Sequence, residues 1–309
     1  MLLQDPTPLI DAATGARWLG YVSLFPVVGA AVFRVLVRRT GSGWPDVVPH
    51  LERRAASVGL VAAGALLMEL LLKLYLQARA FSDPALPLSM DDVHTVLQHT
   101  SWGNGWHLQF MAAVLALAGY ALARRWPAGW LVVFAAAVFC LLATPLTGHA
   151  TEHPWGPRVG PLLHSLHLAA GTSWLGTLAV LVGSVYPATL DDPRREQILA
   201  KVVNAFSPLA LVSAGTAVAL GLVLGLTYNG GVGAVFTTAY GRTMLVKVAL
   251  LGGVLATGWY NWKRVRPALG GEPGAERLAR SAVAELVLGT LLLAATAVLV
   301  ALPPAGLGG

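Results

Sequence analysis

Residues 128–148, AGWLVVFAAAVFCLLATPLTG, run for 21 positions without a charged side chain. That length matches the roughly 20 residues an α-helix needs to cross the ~30 Å hydrocarbon core of a bilayer. Working outward in both directions, similar apolar runs recur along the chain. They predict helices at about 14–37, 55–79, 103–123, 128–148, 161–186, 201–227, 241–263 and 277–301. The fold class read from this is an all-α polytopic membrane protein of eight transmembrane helices, with 1–309 as a single transmembrane domain. Composition agrees: 56% of residues are hydrophobic and 12% charged, where a soluble domain carries roughly 25% charged residues.

The charge pattern sets the orientation. Fifteen of the twenty-one Lys and Arg residues fall in the loops after the first, third, fifth and seventh spans, leaving Arg17, Lys73, Arg79, Arg158, Arg242 and Lys247 elsewhere. Short loops rich in Lys and Arg stay in the cytoplasm. The expected location is a bacterial inner membrane, multi-pass, with both termini periplasmic. The net charge of +6 is then a matter of topology, with the lipid bilayer as partner and no nucleic acid implied. The N-terminal MLLQDPTPLIDAATGA carries two aspartates and no basic region of the kind that opens a cleavable signal peptide, so it reads as a short translocated tail. Cys140, inside an apolar run, is the only cysteine, which leaves histidine and methionine for soft-metal chemistry.

A repeat accompanies the eight runs. Thr100-Ser-Trp-Gly103 before the third run matches Thr238-Ala-Tyr-Gly241 before the seventh, placing Gln109 opposite Lys247; Leu60-Val-Ala-Ala-Gly64 and Leu211-Val-Ser-Ala-Gly215 match more weakly. Two parallel four-helix repeats in one bundle are the expectation. The outer loop from Phe81 to Thr100 has room for a lid or a short interfacial helix.

Seven of the eight histidines, His94, His99, His107, His149, His153, His164 and His167, fall at the outer ends of the helices, and only His50 lies on the other side. Imidazoles in membrane helices usually face a cavity or the bundle interior. At ~1.5 Å per residue, His107, His149, His164 and His167 reach one layer from three consecutive helices. The i, i+3 spacing of His164 and His167 puts both on one helix face. Neutral imidazole suits copper, zinc, iron or nickel, and thioether selects Cu(I), so Met111 and Met244 join His94, His99 and His153 as auxiliary candidates. Each of these five has a plainer reading, as core filling or as an amphipathic residue at the interface. Glu69 and Lys73, spaced i, i+4, together with Lys247 and Glu285, are charges within the spans. Paired structural charges and an ion or proton path both account for them. No phosphate-binding glycine loop or Cys-x-x-Cys is present, so the chain reads as a transporter or metal-binding protein, not a soluble enzyme.

Gly148-His149-Ala150, His167 ahead of Trp174-Leu-Gly176, Phe206-Ser207, Tyr240-Gly241-Arg242 with Lys247, and Asn261 before Arg266-Pro267-Ala-Leu269 resemble, in order and spacing, the copper resistance protein D family. The resemblance covers about 100–270. It implies an eight-helix inner-membrane protein that moves copper from the periplasm towards the cytoplasm or into cuproprotein assembly, with a periplasmic copper chaperone or cuproenzyme assembly factors as partners. It carries over to His149 and His167 as the motif histidines and to Tyr240, Arg242 and Lys247 at the start of the seventh helix. His164 and His107 match no motif position.

The leading expectation is therefore an outward-facing copper site built from His149, His164 and His167, with His107. The alternative is a membrane b-type cytochrome, an oxidoreductase whose haem b would be held between two of these histidines. A structural partner of a respiratory complex is a third reading.

Overall fold

The chain was analysed as a computed structural model, which describes residues 11–229, 231, 233–268 and 274–303. The N-terminal tail, Leu269 and the side chain of His149 lie outside the described residues. The regular elements of the described residues are all helices, without a strand. Helices α1 (Ala12–Thr40) and α2 (Val48–Phe81) come first, then the short α3 (Met90–His99), α4 (Ser101–Ala123) and α5 (Gly129–Ala143). Two 3₁₀ turns, Thr144–Thr147 and His149–Glu152, lead to α6 (Val159–Gly171), which runs through a π-helical segment, Thr172–Gly176, into α7 (Thr177–Ala188). Next come α8 (Arg195–Tyr228), α9 (Ala234–Thr237) and α10 (Ala239–Tyr260), a second π-helical segment at Asn261–Val265, and α11 (Gly274–Ala301). Eight stretches are long and apolar enough to cross a membrane: Ala12–Gly43, Val48–Phe81, Ser101–Ala123, Gly129–Thr147, Val159–Ala188, Arg195–Tyr228, Ala239–Val265 and Glu276–Ala301.

Two helices begin well before their apolar runs. In α2 the early turns bring in Glu52, which is 7% exposed. It accepts from Arg38 Nε at 2.5 Å and Nη2 at 2.9 Å, with Arg34 Nε at 3.2 Å. In α8 the early turns bury Ile198 and Leu199 completely. At the same arginine-rich end Arg194 bridges two loops, donating to Asp46 at 3.1 and 2.7 Å and to Asp192 at 3.0 Å. The loop from Phe81 to Thr100 carries α3, whose start is fixed by a reciprocal cap between Ser89 and Asp92.

The bundle closes around α1, which packs against α2, α5, α7, α8, α11 and the first π segment. Its closest approach is backbone on backbone. A Cβ at Gly29 would lie 2.1 Å from the Gly176 carbonyl carbon, and one at Gly176 would lie 2.1 Å from Phe25 O, the small-residue contact by which membrane helices pack in place of hydrophobic burial. The Tyr120 hydroxyl on α4 donates to Val27 O. Among the eight spans α1 and the α6–α7 helix are the most buried and α10 the least.

The Thr100 and Thr238 motifs form the same cap. Each threonine hydroxyl accepts from the glycine N–H three residues on at 2.9 Å. Each donates back to the preceding short helix, Thr100 to Val96 O at 2.6 Å and Thr238 to Ala234 O at 2.7 Å. Inside the membrane the two differ: α4 packs on α2 and α5, whereas α10 packs chiefly on α11.

Candidate functional site

At the histidine end, α6 faces α8. His167 Nδ1 lies 2.9 Å from Ala217 O. A carbonyl only accepts, so Nδ1 carries the proton and Nε2 keeps its lone pair free. The ring rests over Gly221, where a Cβ would come within 3.0 Å of Cε1. His164, one turn nearer the outer end, has a buried Nε2 with no hydrogen-bond partner and sits 5.9 Å, ring to ring, from Tyr228 of α8. Tyr228 also meets His153 edge-on at 5.4 Å. Burial holds the His153 imidazole below the usual histidine range. Its Nδ1 accepts from Trp155 N–H at 3.1 Å, so the neutral ring carries its proton on Nε2, which is buried and unpartnered.

Helix α10 supplies the third side. The Met244 methyl packs on Gly225, and its side chain joins Leu163, Leu224, Tyr228, Tyr240 and Leu299 in a small apolar cluster. The Lys247 ammonium is within electrostatic reach of His164 and His167. Arg242 is exposed.

The other sequence candidates are placed elsewhere. His107 Nδ1 bonds to Gly103 O of its own helix at 2.8 Å, its ring edge-on to Trp106, and no hydrogen bond or ring contact links it to His164 or His167. His94 and His99 are exposed on α3, 6.2 Å apart, and Met111 is exposed. Among the described residues no three His, Cys, Asp or Glu side chains gather at metal-binding distance.

The turn just before His149, Thr144–Thr147, is held from below by α2. Lys73 Nζ donates to Thr147 Oγ1 at 2.7 Å and to Gln109 Oε1 at 3.2 Å. Gln109 Nε2 in turn donates to Ala143 O, Thr144 O and Thr147 Oγ1. These bonds satisfy the carbonyls freed where α5 tightens at Thr144-Pro145. The i, i+4 spacing of Glu69 and Lys73 does not make an ion pair within 4 Å among the described residues, because Lys73 turns to this network. Glu69 packs instead against Gly20 of α1.

Glu285, 4% exposed, accepts from Trp174 Nε1 at 3.1 Å on one oxygen and from Asn261 Nδ2 at 3.0 Å on the other. Two motif residues are thus partners of one carboxylate. Arg266 Nε donates to Asn204 Oδ1 at 2.5 Å, and Ser207 bonds back into its own helix.

Sequence reasoning missed Tyr228, which gathers His153 and His164, and the Ala217 carbonyl seat of His167. It also left Thr147 and Gln109 out of the site, although the proline at the Thr144–Thr147 helix end and the place of Gln109 opposite Lys247 in the repeat were signals.

Comparison with known proteins gives two family matches, one over each end of the chain. The family model described as copper resistance protein D-like, N-terminal domain, matches residues 8–158, and that described as copper resistance protein D matches 200–299. The copper transport protein CutJ of Bacillus subtilis (strain 168) is 28% identical over 295 residues, covering 93% of this chain and 52% of the relative. The chain therefore spans about half the length of that protein. No solved structure matches it. With the N-terminal pattern over the helices that hold Lys73 and the His149 turn, and the C-terminal pattern over those that seat His167 and Glu285, the chain belongs to the copper resistance protein D family.

Proposed function

We propose that this chain captures copper at its histidine end and transfers it into or across the bacterial inner membrane. The arginine-rich loops then lie in the cytoplasm and both termini in the periplasm. One observation carries the reading: on a single face of α6, His167 offers an Nε2 lone pair fixed by the Ala217 carbonyl, and His164 one turn away has a buried, uncommitted Nε2. A hydrogen bond on the far nitrogen of a ligating imidazole is the usual device for fixing its tautomer and raising its basicity.

Met244 brings a thioether to the adjoining cluster, and the Lys247 charge nearby favours a monovalent over a divalent ion. Both point to Cu(I) as cargo. His149 joins from just beyond the turn that Lys73 tethers through Thr147. His153 is poorly set for Nε2 ligation, since its Nδ1 already accepts a backbone N–H. The exposed His94 and His99 on α3 are where a periplasmic copper chaperone or cuproenzyme assembly factor would hand over the ion. The activity is transfer, not catalysis.

The test is the metal content and visible spectrum of the purified protein. Wild type is expected to hold copper without a Soret band, and the His149→Ala, His167→Ala double variant to lose that copper. Equal copper in the two would sink the reading. A Soret band abolished by His167→Ala would replace copper with haem b and transfer with electron transport.

A further inference from the structure

The site at Glu285 lies deeper in the bundle than the histidines and stands apart from them. Glu285 is in the fourth turn of α11, counted from the arginine-rich end. Among the described residues its carboxylate has two neutral N–H partners and no cation: Trp174 Nε1 on one oxygen and Asn261 Nδ2 on the other.

Both partners come from irregular backbone. Trp174 lies in the π segment Thr172–Gly176 and Asn261 opens the π segment Asn261–Val265. These are the two π segments among the described residues. A π turn inserts one residue into an α-helix, costs stability, and recurs at functional positions. Here both insertions converge on a single buried carboxylate. Asn261 leaves its other amide atom, Oδ1, buried without a partner.

We propose that Glu285 is a proton-binding site that takes up and releases a proton through the arginine-rich end. Rotating the Asn261 amide by 180° exchanges donor for acceptor at the 3.0 Å contact. In the ionised state Nδ2 donates to the carboxylate, as observed. In the protonated state Glu285 Oε2–H donates to Oδ1, while Trp174 continues to donate to Oε1. Each state thus keeps one Glu285–Asn261 hydrogen bond without moving a helix, and the unpartnered amide atom is the half of the switch not in use.

A groove opens one helical turn from the carboxylate. A groove of about 600 Å³ between α10 and α11 is lined by Thr257, Tyr260, Arg277, Arg280, Ser281 and Ala284. Ser281 is one turn from Glu285 on the same face of α11, and Thr257 one turn from Asn261 on α10. Water in this groove would exchange the proton with the carboxylate.

The surrounding charges are few. On α11 they are Glu276, Arg277 and Arg280, the two arginines lining the groove. On α10 they are Arg242 and Lys247, with the titratable Tyr240 and Tyr260, and in the second π segment Lys263 and Arg264 are exposed. The α6–α7 helix has no charged residue apart from its titratable His164 and His167 at the far end. Helix α1 carries Arg17, Arg34, Arg38 and Arg39 towards its ends, and α8 carries Arg195, Glu196 and Lys201 in its first turns.

Through Trp174 the site is joined to the helix of His167, seven residues away. The proton site itself does not depend on copper binding. The experiment uses the full, metal-free chain in lipid nanodiscs and records infrared difference spectra between acid and alkaline pH, with Trp fluorescence titrated in parallel. Wild type is expected to show a protonated-carboxyl band at acid pH and a fluorescence titration. Glu285→Gln, which presents the donor and acceptor of the protonated acid, is expected to lose both. Trp174→Phe should keep the band, shifted, and lose the fluorescence change. A monodisperse elution profile establishes that each variant is folded. If the band and the titration persist in Glu285→Gln, or if wild type shows neither, the proposal is overturned. Neither outcome bears on copper content.

Discussion

Gly221 leaves room for one imidazole and nothing more. A methyl there would press on His167 Cε1 from 3.0 Å and displace the ring from the Ala217 carbonyl that sets its tautomer. Gly221→Ala is expected to weaken copper binding about tenfold, equivalent to ~1.4 kcal/mol, without changing the elution profile, as read by competition with a Cu(I) chelator. In the same assay His164→Ala should lose affinity as His167→Ala does, whereas His153→Ala should nearly retain it. The i, i+3 relation of His164 and His167 is legible in the sequence because helical periodicity dictates it. The seat of His167 is not, because a backbone carbonyl fifty residues away leaves no mark on residue identity. Tyr228 was hidden for a similar reason, since a tyrosine near a membrane boundary is ordinary.

In the Thr144–Thr147 turn a helix end is tied to α2 and α4. Lys73→Met removes the donor that spans Thr147 and Gln109 and leaves both acceptors in place. A loss of about 1–3 kcal/mol in stability is expected, read as a lower melting temperature in detergent, together with weaker copper retention because the turn before His149 is released. Lys73→Arg should restore part of the stability and less of the copper. Hydropathy found the eight apolar runs, yet it counted the first turns of α2 and α8 as loop. Charged residues lower a hydropathy average wherever they stand, but Glu52 is buried by its arginine partners, and the apolar Ile198 and Leu199 make the first turns of α8 part of the core. Nor does hydropathy register a π insertion, which changes backbone hydrogen bonding without changing composition.

Across the whole molecule the arginine-rich face is tied together by Arg194, which binds Asp46 from one loop and Asp192 from another. Its guanidinium holds both carboxyls below the usual aspartate range. The tie is therefore complete above the ordinary value of ~3.9 and is lost as pH falls through the lowered ones. Exposed ion pairs are also screened by salt. Protease added to everted vesicles should cut these loops faster in Arg194→Ala than in wild type at neutral pH and low salt, and acid pH should remove the difference. The repeat announced by the threonine motifs is visible in their matching caps, but the unequal burial of α4 and α10 is not, since similar apolar sequences pack to different depths according to their neighbours.

The central position of α1 sets an order of assembly. Of the eight spans it is made first, yet its Gly29 surface is complementary to Gly176, about 150 residues downstream. During biosynthesis that surface faces lipid until the fifth span arrives, and the α11 contact must wait for the last. The first four spans are thus a scaffold awaiting closure, and the pairing of α6 with α8 that seats His167 on Ala217 O comes after them.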